Sequence, residues 1–349
     1  MLRIGYSCAY TPLPLIDAAG CVPHRILPLT EATDQAGLVI HDNMCPHVKR
    51  ILDRAMGGDL PALDGMVQVN SCDAMRRLAD GWRQVRPGDP AFLIDLPPSA
   101  DERSTRWLLS ELERLRGWLS NLVGHRIPDE EIAAAMRRYD ALADLLVEAR
   151  GRLAAGTLPG GSAALQVVYN RVSAGSLASG LDAARRLLAE TADPQRAGLP
   201  VHLFGNVVAD PEVFSMIEAC GARVVSDDLC TGSRLVQPLA APAPGATPLQ
   251  ALAAGLLARQ ACARTFRPDH PGQLGVDVVE GARRSGAAAV IAYVMKFCDP
   301  YLGRMPAVRE ACAAAGLPLL ILEGDCTLRS LGQQTTRIEA FVEMLEGTA

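Results

Sequence analysis

Ten cysteines punctuate the 349-residue chain, and no two of them form a Cys-x-x-Cys pair. That spacing excludes a ferredoxin-like cluster loop, a zinc ribbon and a thioredoxin-like redox motif, all of which need thiols close in sequence. If these thiols act together, the fold has to gather them from distant segments. Met1 to Cys8 runs straight into a strand-like pattern, with no basic segment leading an apolar one, so no secretory signal is read there. The longest apolar stretch, Ala287 to Met295, is about half the ~20 residues a membrane-spanning helix needs. A cytoplasmic protein that enters no membrane is expected, and such a compartment disfavours structural disulfides in a chain this long. Hydrophobic residues make up 49% and charged residues 21%, the balance of a folded domain rather than a disordered one. Nothing in the net charge of −5, with no dense Lys/Arg run, suggests a nucleic-acid surface.

Short apolar strands alternate with helical stretches at both ends of the sequence. Leu2 to Tyr6, His24 to Leu27, Gly65 to Val69 and Ala91 to Leu96 read as strands, with helices over Pro14 to Ala19 and Pro46 to Met56. Residues from Asp101 to about Leu153 are helical and charged, broken near His125 to Pro128, which describes a helical insert. Leu158-Pro159-Gly160-Gly161 reads as a hinge. Beyond it, Val201 to Val208, Ala222 to Val225, Ala287 to Val294 and Pro318 to Leu322 are strands. Pro211 opens a helix after Asp210, Leu239 to Thr247 is a loop, and Thr335 to Leu345 is a closing helix. The expectation is an α/β protein of two mostly parallel sheets: an N-terminal domain over 1–157, with its helical connector at about 101–157, and a C-terminal domain over 158–349.

Ligand sites in open parallel sheets form beyond the carboxyl ends of the strands. Cys8, Cys72, Cys230, Cys298 and Cys326 each follow an expected strand, and Cys45 precedes Pro46 at a helix start, where the dipole favours a thiolate. These six would face a shared cleft. Cys21, Cys220, Cys262 and Cys312 sit within or beside Ala-rich helical segments and read as small buried hydrophobes. Asp73, Asp299, Glu323 and Asp325 lie near strand ends, where one can move a proton or simply cap a helix. His47 and His270 read as surface or capping residues. Arg76, Arg77 and Arg234 are candidates for a CoA phosphate or a partner's carboxylate.

The words around the cysteines carry a resemblance. Gly5-Tyr6-Ser7-Cys8-Ala9-Tyr10-Thr11-Pro12, Asn43-Met44-Cys45-Pro46, Asn70-Ser71-Cys72-Asp73-Ala74-Met75-Arg76-Arg77, Asp227-Asp228-Leu229-Cys230-Thr231-Gly232 and Lys296-Phe297-Cys298-Asp299-Pro300-Tyr301 occur in that order. Together they resemble the 2-hydroxyacyl-CoA dehydratase and benzoyl-CoA reductase family, which includes the double-cubane cluster proteins. Arg337-Ile338-Glu339-Ala340-Phe341 resembles that family's closing helix. The match spans nearly the whole chain and is weakest over about 100–200.

The resemblance implies two stacked flavodoxin-like or Rossmann-like α/β domains with an iron–sulfur cluster in the cleft between them. It implies that Cys45, Cys72 and Cys298 hold a 4Fe–4S cluster with one iron left open, and that Cys8 and Cys230 fit the richer ligand set of an 8Fe–9S double cubane. One departure is visible. Many relatives carry a Cys-Pro-Cys-like word about thirty residues before the Lys-Phe-Cys-Asp word, where this chain reads Thr265-Phe266-Arg267-Pro268-Asp269-His270. Either the cluster is smaller or Cys326 or Cys262 replaces the missing ligand, and Cys326 is the first expectation because it follows the last strand. The implied chemistry is anaerobic: a separate ATP-dependent iron–sulfur activator delivers one electron at low potential, and the cluster passes it to a small-molecule or acyl-CoA substrate. A homodimer acting as a reductase, a heterodimer with a related family subunit acting as a dehydratase or reductase, and a non-catalytic electron carrier are the three forms this can take.

Overall fold

Apolar runs without alternation become the central strands, because a strand covered on both faces has no polar side to present. Gly65–Val69 and Ala289–Met295 are buried along their whole length. The computed structural model describes residues 1–29, 34–239, 243–326 and 331–347, so part of the expected Leu239 to Thr247 loop lies outside the described residues. Within them the chain builds two four-stranded sheets, and every strand pairing is parallel. Arg3–Tyr6 (β1), Val22–Arg25 (β2), Gly65–Val69 (β3) and Ala91–Ile94 (β4) are ordered β2-β1-β3-β4. Leu199–Gly205 (β5), Ala222–Asp228 (β6), Ala289–Met295 (β7) and Leu319–Gly324 (β8) repeat the same order as β6-β5-β7-β8. Each sheet therefore has a switch point between its two central strands, where the chain leaves in opposite directions and a crevice opens.

The helices that lead into this cleft are Leu13–Ala18 (α1), Pro46–Gly57 (α2) and Asp73–Val85 (α3). Pro46 occupies the first turn of α2, where its missing N–H costs nothing, and Gly58 ends that helix at φ 72°. Glu102–Val123 (α4) and Asp129–Ala155 (α5) form the expected charged insert. Asp101 caps α4 by accepting the Ser104 N–H, and Gly124 and Pro128 make the expected break before α5. Two further helices, Gly161–Ala174 (α6) and Leu177–Ala189 (α7), extend this layer past the Gly160-Gly161 turn. Pro211–Ala219 (α8), Pro248–Ala258 (α9), Gln273–Ser285 (α10), Asp299–Ala314 (α11) and Leu331–Glu346 (α12) complete the second half. Asp210 caps α8, its side chain accepting the Glu212 N–H. Among the described residues no helix is long and apolar enough to cross a membrane.

Two apolar clusters cross between the halves and so fix the cleft. Ile51 and Leu52 of α2 and Trp82 of α3 share one cluster with Leu203 of β5 and Ile291 of β7. In return, Leu252 and Leu256 of α9 join Leu108, Leu112 and Leu119 of α4 against the first sheet. Each fully buried side chain of this size contributes on the order of 2 kcal/mol, so sliding one half against the other would expose many at once.

His202 of β5 lies inside the second half, its Nδ1 2.7 Å from Ser226 Oγ. A Cβ on Gly281 of α10 would come 3.2 Å from the imidazole, tighter than an ordinary contact, so glycine eases the helix's approach. Burial, with Arg284 and Arg234 adding repulsion, lowers the His202 pKa from 6.5 to about 4. The unfolded chain thus binds a proton at higher pH than the folded one. The stabilisation is complete above pH 6.5 and is lost as pH falls toward 4. Between pH 7 and 5 this one group costs the protein roughly 2 kcal/mol. A His202→Gln variant should show a fall in urea-unfolding free energy over that interval that is smaller by about that amount; equal falls would remove His202 from the account.

Candidate active site

The two switch points face each other across one cavity of about 580 Å³, lined by both halves of the chain. Six cysteines reach it: Cys8, Cys45, Cys72, Cys230, Cys262 and Cys298. Cys8 follows β1, and the Thr11 N–H closes a turn on its carbonyl at 3.1 Å. Cys72 follows β3 and stands at the N-cap of α3. Cys298 follows β7 at the N-cap of α11, after Phe297, a non-glycine residue held at φ 55°. Such a backbone is strained and is kept only where its surroundings dictate it. Cys45 is the N-cap residue of α2. Three of the thiols therefore sit at the positive ends of helix dipoles.

Beyond β5 the chain turns at Gly205-Asn206, ending the strand before the expected Val208. A Cβ at Gly205 would lie 2.1 Å from the Tyr293 carbonyl oxygen, so this close approach needs glycine. The Gly205 carbonyl accepts from Tyr301 Oη at 2.7 Å and also from Arg234. The Asn206 carbonyl accepts the Cys230 N–H at 2.7 Å, and its side chain accepts the Met295 N–H at 3.2 Å, tying the ends of β5, β6 and β7 together. Arg234, 4% exposed, is paired with Asp228 at 3.0 Å. Arg25 reaches across from β2 and donates to the Cys230 carbonyl at 2.6 Å.

Burial decides most of the thiol pKa values. It raises that of Cys8, and it pushes Cys72 up to about 11 against the opposing pull of the Met75 and Ala74 N–H groups. Cys298 is raised by a hydrogen bond shared with Cys45 and then by burial. Cys230 and Cys262 are the exception, a hydrogen-bonded buried pair in which Cys230 is lowered and Cys262 raised. The Cys262 thiol donates, and Arg234 and Arg25 stabilise the resulting Cys230 thiolate.

Among the described residues no three His, Cys, Asp or Glu side chains converge closely enough to hold a single metal ion. The sulfurs instead surround an open volume, free of disulfides, with helix N-termini and two arginines in support. Mostly neutral buried thiols become ligands only when a cation displaces their protons. A polynuclear iron–sulfur group, with its size and its preference for thiolate, fits this wall.

Residues 8–345 match the family described as 2-hydroxyglutaryl-CoA dehydratase, D-component. The chain belongs to that family. It is 24% identical over 348 residues to the (R)-phenyllactyl-CoA dehydratase beta subunit of Clostridium sporogenes, covering 98% of this chain and 91% of the relative. It is 25% identical over 336 residues to a benzoyl-CoA reductase subunit of Thauera aromatica, covering 91% and 84%. The (R)-2-hydroxyglutaryl-CoA dehydratase, subunit beta, of Acidaminococcus fermentans is 22% identical over 360 residues, covering 98% and 92%. The protein is an enzyme of the 2-hydroxyacyl-CoA dehydratase-like type.

Within this dehydratase-family chain, Cys8, Cys45, Cys72, Cys230 and Cys298 come together as the sequence suggests, whereas Cys326 is absent from the cavity wall. Its Sγ lies 3.2 Å from Met295 Sδ, and its backbone is held at φ 66°. Cys262, read as a small core residue and also as one of two replacements for the missing ligand, takes a place there instead. The reason is local. Helix α9 ends at Ala258, and the following turn passes beneath Tyr10, whose Oη accepts the Cys262 N–H at 3.3 Å. Cys21, Cys220 and Cys312 are buried elsewhere. His47, expected at the surface, lines the cavity at 7% exposure, and burial lowers its pKa to about 3. Asp73 and Asp299 reach the cavity, while Glu323 and Asp325 do not line it. Arg25, Arg259, Arg264 and Arg304 are invisible as site residues in the sequence, since isolated arginines in strands and loops carry no pattern.

Arg264 joins the halves at the cavity mouth. It donates to the carbonyls of Ser71 at 2.7 Å and Leu96 at 3.0 Å, and to that of Pro97. Arg264→Ala would leave three carbonyls unmatched and should cost about 2–3 kcal/mol in urea unfolding, with Arg264→Lys recovering only part. A loss below about 0.5 kcal/mol would mean that water serves these carbonyls equally well.

Proposed function

We propose that this protein is a low-potential iron–sulfur reductase of a small molecule, with a double-cubane-type cluster held in the cavity. The observation that carries the reading is the convergence of six cysteines from both halves on one wall. In this assignment Cys45, Cys72 and Cys298 hold one cubane, and Cys8, Cys230 and Cys262 hold the other. Cys262 replaces Cys326 as the sixth ligand because it shares a hydrogen bond with Cys230 and lines the cavity. Bound there, the cluster supplies single electrons at low potential and an iron open to a substrate oxygen.

The chain's own groups do the rest. Arg25 and Arg234 offset the negative charge of the thiolates, and the apolar clusters that cross the cleft limit water. Asp73 and Asp299 stand at the cavity edge, where either can deliver a proton to the reduced substrate. The electron donor is an ATP-hydrolysing iron–sulfur activator, and the working form is a cytoplasmic homodimer. A second reading has its own support. The relatives named above are each called a subunit of a dehydratase or reductase, which favours one member of a heterodimeric acyl-CoA dehydratase or reductase.

Iron and acid-labile sulfide per chain, measured after anaerobic purification with EPR of the reduced protein, separate these readings. About eight irons per chain are expected for the double cubane. About four would favour the single-cluster subunit and a search for its partner. Cys262→Ser should lower the iron content while Cys326→Ser leaves it unchanged; the reverse pattern would return the sixth ligand to Cys326. Negligible iron after reconstitution would sink both readings.

A further inference from the structure

Five arginines line the cavity, and four of them are already engaged by the protein. Arg25 is held by the Cys230 carbonyl, Arg234 by Asp228, and Arg264 by Ser71 and Leu96. Arg304 donates to the Ala263 carbonyl at 3.4 Å and lies 5.3 Å over the Phe266 ring. Arg259 differs. Its Nε is buried without a hydrogen-bond partner, as are those of Arg25 and Arg234, but among the described residues neither a carbonyl nor a carboxylate takes its guanidinium. The chain puts it there by leaving α9 in an extended conformation, with ψ 163° at Arg259.

The thiols do not supply the missing counter-charge. Arg25 and Arg234 act on Cys230, and Arg234 on Cys262, whereas the groups that act on Arg259 are Tyr10 and Asp140. The Tyr10 hydroxyl is already used by the Cys262 N–H and by Thr265, 3.1 Å away. Asp140 accepts the Leu239 N–H at 3.0 Å. Arg259 is only partly exposed, a cation held there without an anion is costly, and burial lowers its pKa to about 10. Arg259 lines the same cavity as Cys8, Tyr10 and Cys262, and Tyr10 is itself bonded to the Cys262 N–H, so this guanidinium lies beside the proposed cluster wall.

We propose that Arg259 is the anion-recognising residue of the cavity, taking the oxyanion of a substrate whose reducible group lies on the Tyr10 side, toward Cys8 and Cys262. The proposal rests on the functional reading above and adds to it a substrate class: a small molecule bearing a carboxylate or phosphate. A guanidinium presents two parallel donors to either group, which a neutral amide cannot match.

The test is calorimetric titration of the anaerobically purified protein, at fixed ionic strength, with butyrate, inorganic phosphate and neutral butyramide. Butyrate or phosphate should bind and butyramide should not. The tighter of the two anions tells whether a carboxylate or a phosphoryl group is the natural handle. Arg259→Gln should weaken anion binding by roughly tenfold or more, and Arg259→Lys should restore part of it, with iron content unchanged in both. Equal binding of butyramide, anion binding unaltered in Arg259→Gln, or no anion binding by iron-replete protein would each overturn the proposal. Absence of iron in the parent protein would instead strike the cluster reading, so the two failures are told apart.

Discussion

A parallel strand delivers its chain at the carboxyl end, and a sheet ordered 2-1-3-4 sends its two central strands off in opposite directions. The crevice that results cannot be filled by the sheet itself. This protein uses that constraint twice, with the crevice between β1 and β3 set opposite the one between β5 and β7. Thiols collected from distant points in the sequence can meet only because the two crevices share one volume. Helices α2 and α3, packed with the second sheet, and α9, packed with α4, hold that alignment. The cavity is thus a property of the whole chain and of neither half alone.

The polar groups around this volume are arranged to keep sulfur in place before any cation arrives. Helix N-termini at Cys45, Cys72 and Cys298 point partial positive charge at three of the sulfurs. Burial works against them, raising Cys8, Cys72 and Cys298. In the Cys230–Cys262 pair one thiol is lowered, because one sulfur donates to the other beside two arginines. The wall is therefore primed for a group that brings its own positive charge.

The fold and most of the cysteines are legible in the sequence because both rest on local patterns. Apolar runs mark parallel strands, and a cysteine just past such a run lies at the sheet's carboxyl edge whatever the tertiary details. Cys8, Cys72 and Cys298 follow this rule. Cys326 also follows a strand, but β8 is an edge strand, and its thiol turns to Met295 beside Cys298 without lining the cavity. The rule fails in the other direction for Cys262, which no strand presents. Its place depends on where α9 stops and on Tyr10 from the other half, a long-range fact with no sequence period. His47 escapes a sequence reading for a related reason, since the face of α2 that meets the second half is set by tertiary packing.

The same distinction explains why the arginines carry no sequence signal. A cysteine ligand is restricted to a short side chain and must begin near the site. An arginine spans a long reach, so its backbone position says little about where its charge ends up. Arg25 starts in an edge strand of the first sheet and finishes on the Cys230 carbonyl in the second half. Arg264 starts after α9 and finishes on the loops following β3 and β4. These crossings do for the polar rim what the shared apolar clusters do below it. Moving the halves apart would unmatch carbonyls and bare side chains together. The charge balance of the cavity and its mechanical closure are consequently one feature, and a substitution at the rim acts on both.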